Sequence, residues 1–218
     1  MPERPVPFVF DENYGYLKDI SNRAPRFPYN WRYAAKAYQE IFFPLGLKPG
    51  QTMLDVGCCL GNLGHYFHFA GIDTIGIDLN MAALRQGRTL WSKERNQLLQ
   101  ADAGFLPFKN ASFDHVVSQD VLEHMPDENT LEKVFSEMTR VLAGNRMYHK
   151  ITVAEDTFCI DADPSHFLKW PSQKWREWFE DKGWKVTAPT TRNIFSWKQK
   201  DFIRLHGFFL IEKNTQTT

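Results

Sequence analysis

The stretch Leu54-Asp55-Val56-Gly57-Cys58-Cys59-Leu60-Gly61-Asn62-Leu63-Gly64 passes from an apolar strand into a glycine-bearing turn and on into a helix. The strand begins at Thr52, behind the turn Pro49-Gly50, and the helix continues through Tyr66, Phe67 and Ala70 to a stop at Gly71. A short apolar strand emptying directly into a helix is the opening unit of a parallel α/β sheet, because each parallel neighbour needs a crossover helix. In such a turn Gly57 permits close backbone approach, and Gly61 lets the helix start beside a bound group.

Reading outward, the alternation repeats. Residues 74–78 are a second buried strand, 81 to about 93 a second helix, 97–102 a third strand and 113–118 a fourth. Asp127 opens a helix whose apolar face is Leu131, Val134, Phe135, Met138, Val141 and Leu142, with Gly144 at its end and 147–153 as the next strand. Ser172 starts a helix through Trp175, Trp178 and Phe179 that Gly183 stops, followed by strands at 185–187 and 208–211. Upstream, Trp31, Ala34, Ala35, Tyr38, Ile41 and Phe42 recur at helical spacing behind an Asn30 cap, and Pro44 with Gly46 ends that run. Residues 1–30 read as an irregular arm. The pattern predicts an α/β, doubly wound, mainly parallel sheet with helices on both faces and right-handed crossovers. No repeat or linker divides it, so one domain is expected over 1–218.

Composition narrows the function classes. At 218 residues and 43% hydrophobic content the chain can bury one sizeable core. Lys+Arg and Asp+Glu are equal at 26 each, so no overall positive field gathers phosphates, and general nucleic-acid binding is disfavoured. No apolar run has the length of a membrane span, and the first ten residues carry three prolines and no signal-like core, which reads as cytoplasmic. Three cysteines, two of them the adjacent Cys58 and Cys59, make neither a disulfide framework nor a zinc spacing; both read as packing thiols. The aromatic content of 15%, with seven Trp, exceeds what a small α/β core needs and suggests a lined pocket.

Chemistry is expected beyond the carboxyl ends of the strands, where strand order reverses. Gly76-Ile77-Asp78 places a carboxylate at the end of the second strand, about 20 residues after the glycine turn, where it can accept from both ribose hydroxyls of an adenosine-type cofactor. Gln100-Ala101-Asp102-Ala103 places a second carboxylate and a backbone N–H where an adenine amino group and ring nitrogen are read.

With these residues in view, the sequence resembles the class I S-adenosylmethionine (SAM)-dependent methyltransferases, from about Thr52 to Val153. The likeness rests on Leu54 to Cys58 with Gly61, on Gly76-Ile77-Asp78, on Ala101-Asp102-Ala103 with Leu106-Pro107-Phe108, and on Ser112 to Ser118 leading into Asp120-Val121-Leu122-Glu123-His124. The resemblance implies a Rossmann-like, seven-stranded sheet with a last antiparallel strand, SAM as cofactor, and a core over 50–154. Residues 1–48 would then be an arm and helix that can close the site, and 155–218 an acceptor-side insertion with the C-terminal strands. It assigns the methionine portion to Asp55, Gly57, Cys58 and Gly61, the ribose to Asp78 with Leu79 beside it, and the adenine to Asp102 and Ala103. Backbone groups at Ser118 and Gln119 would touch the cofactor, and His124 would support the loop. Cys59 replaces the family's usual middle glycine, which requires ordinary backbone dihedrals there.

On the acceptor side, Asp161-Ala162-Asp163-Pro164-Ser165-His166-Phe167 is a polar, proline-fixed segment. His166 is the candidate catalytic base for a hydroxyl acceptor, and Asp163, Trp170 and the arm's Tyr14 and Tyr16 are candidate substrate contacts. No metal is expected, since Asp161, Asp163 and His166 do not make a specific ligand pattern. The function expected is methyl transfer to a small or medium-sized acceptor, a sugar, secondary metabolite, glycan or peptide, with a hydroxyl favoured over an amine. A NAD enzyme would need the fuller G-x-G-x-x-G spacing. A silent SAM-binding scaffold would show damage among Asp55, Gly57, Gly61, Asp78 and Asp102, all of which are present.

Overall fold

The computed structural model describes residues 31–91, 97–187 and 206–214. Seven strands form one sheet: β1 (Thr52–Val56), β2 (Asp73–Asp78), β3 (Gln97–Gln100), β4 (Phe113–Gln119), β5 (Leu142–Thr152), β6 (Trp184–Thr187) and β7 (His206–Lys213). Their order is β3-β2-β1-β4-β5-β7-β6. The first five are parallel, whereas β7 runs antiparallel between β5 and β6. The chain winds outward from β1 to β3, then returns to the other side of β1 with β4. The switch point therefore lies where Val56 pairs with Ile77 on one side and Ser118 on the other.

Helices are α1 (Trp31–Ala37), which passes through a π-helical stretch (Tyr38–Phe42) into α2 (Phe43–Leu45), then α3 (Asn62–His68), α4 (Met81–Leu90), α5 (Glu128–Val141), α6 (Thr157–Ala162) and α7 (Ser172–Asp181). Side chains alternate along each strand, so the sheet buries two cores. On one face Leu54, Val56 and Val116 meet α5 through Leu131, Val134, Phe135 and Met138, and α7 through Trp175 and Phe179. On the other, Met53, Val117 and Tyr148 meet Ile41 from the π-helical stretch, Leu45 from α2, and Leu63 and Phe67 from α3. The sequence's helix cap at Asp127 is present, its carboxylate accepting from Thr130 N at 2.7 Å.

Four expectations are corrected. Gly144 does not end α5: the chain turns into β5 at Leu142, and Gly144 lies inside that strand beside the register shift between Phe113 and His115. A Cβ on Gly144 would stand 2.1 Å from the Asp114 carbonyl oxygen, so strand contact rather than helix termination requires glycine. The α3 helix stops at His68, short of Ala70, and β3 stops at Gln100, leaving Asp102 in the following loop. Finally, the segment before Asp163 is not all loop, because α6 occupies Thr157–Ala162. The Asn30 cap and the arm with Tyr14 and Tyr16 lie outside the described residues.

Candidate active site

The turn after β1 is held from β2. Gly57 N and Cys58 N both donate to the Ile77 carbonyl, at 2.8 and 2.9 Å, and Gly57 has φ +74°. A Cβ on Gly57 would lie 2.3 Å from Val121 Cγ2, so both conformation and space require glycine there. Asp78 fixes the same turn from the end of β2: one carboxylate oxygen accepts from Cys59 N and the other from Asn80 N, each at 2.8 Å. Cys59 itself has φ +51°, which corrects the expectation of ordinary dihedrals at this position. A cysteine carries the left-handed conformation of the glycine it replaces, and Asp78's hydrogen bond holds it there.

Two carboxylates converge on this turn. Asp55 is only 4% exposed. Burial, and then the neighbouring Asp78 charge, raise its pKa to about 7. Burial raises Asp78 as well, against the two backbone N–H groups that lower it. Burial pushes Cys58 well above the usual thiol value and Cys59 to about 12, so neither is a thiolate at neutral pH and the packing reading stands. An uncompensated carboxylate pair in a low-dielectric crevice fits a positively charged ligand group, and each Asp78 oxygen keeps a lone pair for a hydroxyl. A sulfonium and an ammonium on one nucleoside satisfy that donor set. The residues present therefore fit SAM.

The other sequence candidates surround the same edge. Leu79, 51% exposed, follows Asp78 directly. Asp102 turns its chain by accepting from Gly104 N at 2.8 Å, and Ala103 packs on the core beside it. Ser118 is turned inward, its hydroxyl 2.8 Å from His149 Nδ1, and burial lowers His149 to about 3, so that ring is neutral. Gln119 is half-buried at the end of β4. Beyond it Asp120 pairs with Lys150.

Beyond β4 and α6 the structure brings together residues that the sequence reading kept apart. Glu123, 0% exposed, accepts from Thr152 N at 2.6 Å, while its backbone carbonyl receives Phe167 N and Leu168 N. Burial, then Asp120, raises the Glu123 carboxyl to about 8. His124 Nδ1 lies 2.8 Å from Ser165 Oγ, and Asp163 accepts from both Ser165 N and Ser165 Oγ. His166 is 8% exposed, with Nδ1 3.2 Å from the Ile160 carbonyl and its ring 4.7 Å from that of His124. The candidate base is thus buried against His124, not presented to solvent. Trp170 is half-buried, packed on Trp175 with Lys174 Nζ over its ring at 3.8 Å. Glu123 is the residue sequence reasoning left unassigned; its signal was the Glu-His step just after β4, and only tertiary contact supplies His166.

Residues 54–145 match the methyltransferase domain family. Over that stretch the chain is similar to methyltransferase domains. Phosphoethanolamine N-methyltransferase 2 of Caenorhabditis elegans is 38% identical over 99 residues, covering 44% of this chain and 22% of that protein. The sterol 24-C-methyltransferase of Pneumocystis carinii is 30% identical over 137 residues, 61% of this chain and 36% of that protein. The chain therefore spans only a minor part of these curated relatives. Among solved structures, the Haemonchus contortus phosphoethanolamine N-methyltransferase 2 in complex with SAM superposes with a TM-score of 0.66 and 21% identity, over 93% of this chain and 59% of that one. At that identity the likeness is one of fold. No helix among the described residues is long and apolar enough to cross a membrane.

Proposed function

We propose that this chain transfers a methyl group from SAM to a small-molecule nucleophile, hydroxyl or amine, by direct in-line displacement. The observation that carries the reading is the convergence of Asp55 and Asp78 on the Gly57 turn at the switch point of the sheet. When bound, SAM supplies a methyl carbon made electrophilic by its sulfonium. In this reading Asp78 accepts from the ribose hydroxyls, and Asp55 balances the positive charge of the methionine end. The Gly57 turn, set by its positive φ and its close packing on Val121, presents its backbone to the ligand, with Cys58 and Gly61 completing it. Leu79 covers the adenine, Asp102 and Ala103 read its edge, and the Ser118–Gln119 backbone lies under the methionine portion. The acceptor enters past Asp163 and Trp170, with Tyr14 and Tyr16 of the arm as candidate contacts outside the described residues. Alignment of two reactants in a crevice shielded from water then supplies several kcal/mol without a covalent enzyme intermediate.

His166 can take an acceptor proton only from a group that reaches the Glu123–His124–His166 cluster, since the imidazole is buried there. The reaction as proposed does not require it: an amine loses its proton without help from a buried base. The names of the curated relatives, acting on phosphoethanolamine and on sterols, support a small acceptor. The test is incubation with SAM and a panel of amines, alcohols and phenols, followed by mass spectrometry. Methylated product and S-adenosylhomocysteine should appear in equal amounts with at least one acceptor class. SAM binding with no S-adenosylhomocysteine formed above the spontaneous rate would favour the silent SAM-binding scaffold instead.

A further inference from the structure

Glu123, His124 and His166 each offer a ligand atom within 4.8 Å of the others, at the carboxyl edge of the sheet beyond β4 and β5. Two features make this more than a chance grouping. The first is the proton placement on the rings. Nδ1 of His124 lies 3.0 Å from the Ser165 carbonyl, and Nδ1 of His166 lies 3.2 Å from the Ile160 carbonyl. A carbonyl oxygen only accepts, so each Nδ1 carries the hydrogen and each lone pair is on Nε2. Backbone carbonyls on Nδ1 are the usual outer support of metal-binding imidazoles. The second is Glu123. One oxygen is used by Thr152 N, while Oε2 is buried with no hydrogen-bond partner. A carboxylate oxygen left unpaired in a protein interior is costly unless something positive meets it.

We propose that these three side chains form a binding site for one transition-metal dication of the zinc class, against the sequence-based expectation of no metal. Two imidazoles and one carboxylate suit Zn²⁺, Co²⁺ or Fe²⁺ and do not suit Mg²⁺ or Ca²⁺, which take oxygen donors. Metal–ligand bonds of about 2.0–2.2 Å require the three donors to draw together by about 1 Å, within the reach of side-chain rotation. Three protein ligands leave a coordination position open. Bound there, the metal would tie the turn at Leu122–His124 to the segment that follows α6, a link now made by Glu123's carbonyl and by Ser165. The site does not depend on the methyl-transfer reading, because it uses none of the residues assigned to SAM.

The experiment is a titration of the chelator-stripped chain with Co²⁺, read by visible absorption. One equivalent should give the d–d bands of a four- or five-coordinate ion, and Zn²⁺ should displace it. The unfolding temperature should rise by a few degrees with Zn²⁺ and stay unchanged with the same concentration of Mg²⁺. Glu123→Gln and His166→Ala should each weaken Co²⁺ by about 100-fold or more, while circular dichroism reports that the chain remains folded. His166→Cys should keep the ion and add a near-ultraviolet thiolate-to-cobalt band, which decides the matter if the other two variants fail to fold. Absence of stoichiometric d–d absorption would overturn the proposal. So would Co²⁺ binding that survives Glu123→Gln and His166→Ala unchanged, or a His166→Cys spectrum without the thiolate band.

Discussion

Cys59 shows how a single position in the turn is controlled by its partner. A non-glycine residue at φ +51° costs roughly 1–2 kcal/mol, and the 2.8 Å bond from its N–H to Asp78 offsets part of that. Cys59→Gly should therefore stabilise the chain by about 1 kcal/mol, raising the unfolding temperature by a few degrees in a thermal melt. Asp78→Ala removes the acceptor for Cys59 N and Asn80 N together with any ribose contact. Calorimetry should show SAM weakened by about 1–3 kcal/mol, and the melt should show a lower unfolding temperature for the free chain. Weakened binding without the stability loss would mean that the turn does not lean on Asp78. Asp55 adds a pH signature. Its value near 7 is raised by burial and Asp78, and the Cys58 and Cys59 thiols facing it stay protonated. A cationic ligand favours its ionised form, so SAM affinity should climb as pH rises through 7 and then level off. Stability moves the other way. The folded state binds the Asp55 proton more tightly than the unfolded chain, so it loses stability as pH rises from about 4 toward 7, and Asp55→Asn should remove that loss. A flat affinity profile would take Asp55 out of the site. Asp55, Gly57 and Asp78 were legible because chain spacing alone puts strand ends together. Cys59's conformation was not, since residue type predicts ordinary dihedrals and a contact from β2 overrides it.

Among elements, β5 carries the clearest conflict between local and tertiary signals. A glycine after the apolar run of α5 reads as a helix stop, yet Leu142 is already a core strand residue and Gly144 abuts the β4 backbone. The neighbour at 2.1 Å is a carbonyl oxygen that cannot swing away, so Gly144→Ala should destabilise by about 1–3 kcal/mol in denaturant unfolding. A neutral result would show that the bulge between Phe113 and His115 can absorb the methyl group. Helix α6 was missed for a different reason: only Thr157–Ala162 is helical, too short for a repeating apolar face. Strands β1, β2 and β4, by contrast, lie within a residue of their expected ends, because short apolar runs bounded by turns admit few other arrangements.

Across the whole molecule, strand alternation foretells a mainly parallel sheet, but it cannot say that β7 inserts between β5 and β6; family resemblance supplied only a last antiparallel strand. The same limit applies to the acceptor side. Glu123 and His166 are brought together by Phe167 N and Leu168 N folding back onto the Glu123 carbonyl, a contact that no local pattern encodes. The convergence of Asp55, Gly57 and Asp78 was readable because they fall at fixed places in consecutive strand–turn units, whereas the meeting of Glu123 with His166 depends on how the segment after β5 folds. The central claim concerns the first of these, and isothermal titration calorimetry of the full chain with SAM, S-adenosylhomocysteine and NAD tests it most directly. One SAM per chain, similar stoichiometry for S-adenosylhomocysteine, much weaker NAD, and loss of SAM affinity in Asp78→Ala are the predicted results. Tight NAD binding with no measurable SAM binding would contradict the account.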